Sequence, residues 1–433
     1  MKFKHLYLSV LSVLFFAACY TAKKIKSKTG EGIAASSFAD AVVLPQPYAT
    51  PSVRNNSKVI GWPKDKTPVA PDGFTVSRFA DSLDNPRWIY VAPNGDIFIA
   101  MANTISDGFT KTAGDTKPGK SSNTILIFRD KDGDGIPELK NIFLTGLNRP
   151  LGMLILNNKF YVANTNGLWI YPYEAGQTVM TTAGTKILDL PAGGYNNHWT
   201  RNLIASRNGS KIYVTVGSGS NVAEHGIANE IRRANILEIN PDGTGERIYA
   251  SGLRNPVGMG WATGTNILWT AVNERDNLGD DLVPDYATGV KENGFYGWPY
   301  AYYGKNADPR LKSERMDLVN STITPDVSMG PHTASLGLVF NENNYLTAPY
   351  FGGMFIGQHG SWNRSVLSGY KVVFVPFNNG KPSGPPQDFL TGFITNAGNN
   401  NVYGRPVGVA FTHDGALLVS DDSGKTIWRV TKN

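Results

Sequence analysis

The sequence predicts an all-β fold, a six-bladed β-propeller of four-stranded antiparallel blades, on three observations. One hairpin motif recurs six times between residues 85 and 422. Apolar runs of strand length fill the intervals between the copies. The 433 residues hold 47 Gly and 26 Pro beside 9 Trp, 19 Tyr and 20 Phe, and that mixture of turn formers and aromatics suits many short strands.

The chain opens on an export signal, residues 1–19, MKFKHLYLSVLSVLFFAAC. Lys2 and Lys4 give it a basic start, and Leu6 to Phe16 an apolar core short for a membrane span. Phe16-Ala17-Ala18-Cys19 resembles a bacterial lipobox, in which the cysteine is acylated and begins the mature chain. Cys19 is the only cysteine, so no disulfide partner exists for it, which favours lipidation. The expected product is exported and lipid-anchored to a bacterial membrane, facing the periplasm or cell surface. Residues 20–65 read as a polar tether and extended lead-in, and residues 66–433 as the propeller domain. The formal charge of +6 comes from Lys2, Lys4, Lys23, Lys24, Lys26 and Lys28, with no acid among residues 1–30. The remainder is neutral, which excludes a nucleic-acid protein.

The repeat decides the fold. Residues 85–100 read NPRWIYVAPNGDIFIA, a polar start, an apolar strand, an Asn-Gly turn and a second strand. The pattern returns at 148–163, 201–217 and 254–272, more weakly from His332, and last at 404–422. Between hairpins lie TILIFRD, LWIYPYE, NILEINP, YKVVFVPF and IWRVTK, enough for four strands per blade. The Phe74-Thr75-Val76 segment and the terminal IWRV are expected to meet in one blade and close the ring.

Five of the six copies begin with arginine: Arg87, Arg149, Arg201, Arg254 and Arg405. Equivalent starts ring one mouth of the channel, and converging guanidiniums call for an anion, best a ligand with several carboxylates. Arg87 or Arg149 is expected to pair with an aspartate between blades, and at least two of the others to face the ligand. His198, three residues ahead of Arg201, stands at the same mouth and can act as a general base. His332 and His359 sit at the ends of inner strands. The loop VNERDNLGDDLVPDY, residues 272–286, crowds Glu274, Asp276, Asp280, Asp281 and Asp285, oxygen donors suited to Ca²⁺. Asp130 to Glu138 begins like a calcium loop but has Asn141 at its twelfth position, and it offers either an ion site or a sharp turn.

At these residues the sequence resembles the soluble pyrroloquinoline-quinone sugar dehydrogenases, in particular the sorbosone dehydrogenase branch. The resemblance runs from about Pro71 to Val430 and is carried by NRPLGM, HWTRNL, SGLRNPVGM, VNERDNLGDDLVPDY, NGFYGWPY, PHTASLG, GQHGSWNRS, GYKVVFVPF and GRPVGVAF in order. It implies a six-bladed propeller that oxidises a sugar, sugar aldehyde or polyol by passing hydride to pyrroloquinoline quinone. It also implies that His198 is the catalytic base, and that Arg254 and Asn255 lie at the cofactor's carbonyl edge. Arg201 joins them as a cofactor-facing arginine of the ring, and Arg405, with Arg364 or Lys371, holds the carboxylates. Ca²⁺ is implied on the loop after the fourth hairpin, held largely by backbone carbonyls together with the cofactor; here that loop carries Arg275, Asp276 and Asn277, where glucose-oxidising relatives have Gly-Pro. No C-x-x-C-H is present, so a separate electron acceptor is expected; no G-x-G-x-x-G opens a helix, against a nicotinamide cofactor. A Ca²⁺-dependent propeller hydrolase, lactonase-like, or a non-catalytic lipid-anchored binding propeller are the alternatives.

Overall fold

The computed structural model describes residues 42–103, 121–396 and 398–433. Cys19, and with it the expected lipid anchor, lies outside the described residues. The architecture is all-β, built mainly of four-stranded antiparallel sheets in a propeller-like arrangement.

Each copy of the repeat forms the first two strands of a sheet. Pro86–Val91 pairs with Ile97–Met101, then Thr124–Arg129 and Leu139–Leu144 complete the sheet. The sequence pattern explains this order. Ile97–Met101 is buried along its whole length and Thr124–Arg129 almost so, as sheets covered on both faces require, whereas Leu139–Leu144 is half exposed at the rim. The same succession follows from Met153–Leu156, Leu203–Ala205, Pro256–Trp261 and Ser335–Phe340. Pro406–Phe411, Leu417–Asp421 and Thr426–Lys432 form the last sheet, and Phe74–Ala80 supplies its fourth strand by pairing with Thr426–Lys432. The two ends of the domain are thereby tied together, as the sequence led us to expect.

Neighbouring sheets meet through their inner strands. The Ile155 N–H donates to Tyr90 Oη (2.9 Å), Gly152 N–H to the Arg201 carbonyl (2.9 Å), and Asn202 Nδ2 to the Val257 carbonyl (2.9 Å). Ser420 Oγ donates to the Arg87 carbonyl (3.0 Å), joining the last sheet to the first. In four of the six copies a glycine, Gly152, Gly258, Gly337 or Gly408, lies at these contacts. A Cβ on Gly258 would fall 2.5 Å from the Leu336 carbonyl oxygen, and one on Gly337 2.2 Å from that of Val407. Glycine is required there because two backbones touch.

Two features were not anticipated. Residues 290–326 form an insertion holding the helix Met316–Ser321, a short hairpin, and Gly294–Phe295, which adds a parallel fifth strand to the third sheet. The described part of the lead-in is a strap laid on the body. Thr50 Oγ1 and Ser52 Oγ accept the N–H groups of Asp280 and Gly279, Asn55 N–H donates to the Trp362 carbonyl (2.7 Å), and Lys58–Val59 pairs with Asn401–Val402. Trp62 ends the strap among Phe393, Tyr403 and Trp428.

Asp421 links strap, inner strand and closing strand. Oδ1 accepts the N–H groups of Arg405 and Gly424 (both 2.7 Å), and Oδ2 accepts Trp62 Nε1 (2.7 Å). Asp421→Ala should lower the unfolding free energy by on the order of 3 kcal/mol. Asp421→Asn, which keeps one acceptor oxygen, should lose roughly half of that. Denaturant unfolding of the three proteins checks this, and a wild-type midpoint for the alanine variant would show that the carboxylate fastens nothing.

Candidate active site

The residues that begin the inner strands converge on a cavity of about 840 Å³. In four sheets the pairing register shifts at the start of the inner strand, at Pro86/Trp88, Pro256/Met259, Ser335/Leu338 and Pro406/Val409. Such bulges splay the preceding residues out of the ladder. Arg87, Arg254, Asn255 and Arg405 line the cavity, with His198, Asp276, Asn277, His332 and His359.

His198 is buried, and its Nδ1 lies 2.8 Å from the Ser218 carbonyl oxygen. A carbonyl only accepts, so Nδ1 carries the proton and Nε2 keeps its lone pair. Burial, reinforced by the charge of Arg254, holds the imidazole well below its ordinary pKa, so it is neutral at pH 7. The Arg201 guanidinium shapes this segment from behind. It is completely buried and donates to the carbonyls of His198 and Thr200 (both 2.8 Å) and Pro191 (2.6 Å). Arg201 does not line the cavity, so it pins the turn that presents His198 and is not placed to bind a cofactor.

Arg254 sits in a cage of oxygens. It donates to the Glu274 carbonyl (2.6 Å), Asn221 Oδ1 (2.8 Å), Asp276 Oδ2 and the Asn221 carbonyl (both 3.2 Å), and both oxygens of Asn273. Those bonds engage every N–H of the guanidinium. Asp276 Oδ1 accepts Asn363 Nδ2 (2.6 Å) and lies 3.7 Å from His332 Nδ1. Although burial works to raise the Asp276 carboxyl, His332 and Arg254 win and hold it below the ordinary range.

Arg87 is buried against Asp422, the pairing expected of it or of Arg149. Asp422 also accepts from His359 Nε2 (2.9 Å). Burial and the charge of Arg405 lower His359 to about 4, so it is neutral as well. Arg149 lies outside the cavity wall, over the Trp199 ring (5.9 Å), with Arg87 over the same ring (5.5 Å). Arg405 stands apart from these. It donates to the carbonyls of His359 (2.9 Å) and Gly360 (2.7 Å), and among the described residues no carboxylate pairs with it. It therefore keeps donors and a full charge for a ligand.

Arg364 and Lys371 point elsewhere: Arg364 pairs with Asp281 (2.7 Å) and Lys371 with Asp388 (2.5 Å), and neither lines the cavity. Both were expected as counterparts of Arg405 and are corrected here. Their charges are spent on neighbouring aspartates at the surface.

The cavity wall holds buried polar atoms without partners among the described residues: Arg87 Nε, Thr200 Oγ1, Asn255 Oδ1 and Glu274 Oε1. Buried polar groups are normally satisfied, so four in one wall mark a seat for a polar ligand. Arg405 and Arg87 Nε offer donors to anionic or carbonyl oxygens, whereas Asn255 Oδ1 and Glu274 Oε1 offer acceptors to N–H or hydroxyl groups, so the wall fits a molecule that bears both. The donor set does not fit Ca²⁺ on Asp276 and Asn277. Asp276 has both oxygens engaged, by Arg254 and Asn363, and Asn277 is exposed to solvent. The oxygens a hard cation would seek already surround the Arg254 guanidinium. Asp130, Asp132 and Glu138 do approach one another within 4.8 Å, but Asp130 and Glu138 take backbone N–H groups of their own loop.

Sequence reasoning missed Arg310 and Asp308, which arrive from the insertion. Arg310 Nη1 donates to the Asp276 carbonyl (2.7 Å), and Asp308 receives both Arg310 and the wholly buried Arg275. It also passed over Asn363 and Trp362, present in GQHGSWNRS without any pattern that marks them.

Three comparisons place this architecture. A 27% identical protein of Borreliella burgdorferi, itself uncharacterised, aligns over 83% of this chain and 89% of its own length. The pyrroloquinoline quinone-dependent pyranose dehydrogenase of Coprinopsis cinerea is 24% identical over 83% of this chain but only 54% of its own, so the chain spans about half of that relative. A Trichoderma reesei enzyme of carbohydrate-active family AA12 superposes with a TM-score of 0.68 at 20% identity, covering 88% of this chain and 100% of that one. None of the three carries the sorbosone branch of the resemblance. The TrAA12-like family model matches residues 68–293 and 308–433, its gap falling in the insertion, and the chain belongs to the TrAA12-like family.

Proposed function

We propose that this protein is a quinoprotein dehydrogenase that oxidises a sugar, sugar aldehyde or polyol, with His198 as the base and pyrroloquinoline quinone as cofactor. The observation that carries the reading is a neutral, Nδ1-protonated His198 in the wall of a cavity edged by unpartnered polar atoms and the free cation Arg405. Membership of a family whose named relatives use this quinone supports it. Support for six blades comes from the order of the sheets, each inner strand meeting the next and the last meeting the first.

Bound quinone supplies the two-electron acceptor for hydride, chemistry no side chain here can perform. This chain's residues position and deprotonate. His198 Nε2 accepts the proton of the substrate hydroxyl, and its Nδ1–H, held by the Ser218 carbonyl, keeps the ring in the tautomer that can do so. Arg405 would hold a cofactor carboxylate, and the unpartnered Oδ1 of Asn255 would accept from an N–H or hydroxyl group of the bound molecule. Arg254, with all donors engaged, acts by charge and by fixing Asp276 and the 272–286 loop. No step is assigned to Ca²⁺. A separate electron acceptor and a lipid anchor at Cys19 on an exported chain complete the reading. Acylation of Cys19 should appear as labelled palmitate on the protein in its bacterial host; equal label on Cys19→Ser would remove the anchor.

Purified protein should take up one equivalent of quinone, followed by its absorbance, and then reduce a dye with sugars. His198→Ala should lower kcat by about 10²- to 10⁴-fold while quinone still binds. Arg405→Ala should weaken quinone binding roughly 30-fold, the value of a charge-assisted pair, whereas Arg364→Ala and Lys371→Ala should not. No quinone uptake at micromolar concentration would end the proposal.

A depressed pKa means that His198 stays unprotonated as acid is added and gains its proton only well below pH 6.5. In the cofactor-free protein its imidazole proton resonances, assigned by loss in His198→Ala, should hold their shifts from pH 8 to 6. A titration centred at 6.5 or above would remove the neutral base.

A further inference from the structure

The cavity lip carries an aromatic ring with nothing on it. Trp362 is 37% exposed, and among the described residues it is the only exposed large apolar side chain that lines the cavity. No ring or cation of a described residue lies against its face. An indole left in water at a binding site is apolar surface awaiting a partner.

The ring is also held in place. Its carbonyl accepts Asn55 N–H from the strap (2.7 Å). On one side, Ser361 is bonded to the Ser368 carbonyl (2.9 Å) and by Tyr370 Oη (2.6 Å). On the other, Asn363 is tied to Asp276 (2.6 Å) and Ser365 N–H to Asp280 Oδ1 (2.6 Å). A backbone fixed on both flanks presents the indole at little entropic cost to a ligand.

Depth separates two ligands. The unpartnered polar atoms belong to residues no more than 7% exposed, so the quinone of the proposed function seats among them, in the interior. Trp362 is at the rim, where a molecule entering from solvent arrives. Exposed amides, Asn197 and Asn277, line the same cavity and can bond hydroxyls. A flat apolar face in the same cavity as hydroxyl-binding amides suits a pyranose ring, whose C–H face stacks on the electron-rich face of an aromatic ring. An open-chain polyol has no such rigid face.

Resting on the quinoprotein reading, we propose that Trp362 is the substrate platform that selects pyranose rings over open-chain polyols. The ratio of kcat/KM for D-glucose to that for D-glucitol, measured on quinone-loaded protein, should fall about 30-fold in Trp362→Ala and largely recover in Trp362→Phe. In parallel, saturation-transfer NMR of methyl β-D-glucopyranoside with cofactor-free protein should show saturation on ring C–H protons for wild type and its loss in Trp362→Ala. An unchanged ratio, or equal ring-proton saturation in both proteins, would overturn the inference. A defect confined to quinone uptake would overturn it too, making Trp362 a cofactor wall. Should wild type bind quinone with no sugar oxidised, the quinoprotein reading falls, and the NMR comparison alone decides whether Trp362 holds a sugar.

Discussion

The close approach of neighbouring inner strands is the constraint from which the rest follows. Where Gly152, Gly258, Gly337 and Gly408 pass the next sheet, the backbones leave no space for a side chain, or almost none. Neighbouring inner strands therefore meet main chain to main chain, and in three of these sheets the start of the inner strand is displaced from the ladder by a register shift. One geometric requirement thus accounts for the glycine that recurs in four of the six copies. Replacing any of these glycines would push apart the two sheets whose separation sets the width of the cavity.

Burial then governs what the charges at that opening can do. A guanidinium removed from water must find acceptors within the protein, and most of these do. Arg201 finds carbonyls, Arg87 finds Asp422, and Arg254 finds six oxygens from four residues. The ring of arginines is thus largely a means of bracing loops. Only Arg405 reaches the cavity with its charge unpaired by any carboxylate among the described residues. Of the several arginines that begin the inner strands, desolvation has left one in the cavity wall free of a carboxylate.

The fold was legible because its signal is local and repeated. Alternation, turn dipeptides and a recurring spacing specify hairpins, and six similar hairpins leave few architectures in which all can be buried. The closing strand was legible too, since unpaired strands stand at both ends of the repeat. The site was legible only in part. His198, Arg254 and Arg405 could be named because they hold equivalent places in, or beside, the repeat, and Asn255 because the resemblance implied it; all four line the cavity. Arg310 and Asp308 could not, because an insertion obeys no register. Arg364 and Lys371 misled because sequence gives the presence of a cation but not the nearby Asp281 or Asp388 that occupies it. The strap was invisible for a related reason: Asn55 and Trp62 bond across more than 300 residues of sequence, to Arg364 and Ser365 in one case and to Asp421 in the other, and no local pattern announces such partners.

The depressed His198 pKa bears on when the site is competent. A base whose conjugate acid is strong takes a proton from an alcohol poorly, so an imidazole held well below its ordinary value is a weak base in the empty cavity. Part of that depression is the charge of Arg254, which is fixed, and the larger part is exclusion from water, which a ligand increases. An anion bound in the cavity near the imidazole would oppose both by favouring the protonated ring. The basicity of His198 is therefore set by what fills the cavity. On the proposed function, a cofactor with several carboxylates would strengthen the base at the same time as it brings the hydride acceptor, whereas a neutral sugar alone would not. Proton abstraction before the acceptor is in place would be unproductive, and the electrostatics of this wall disfavour it.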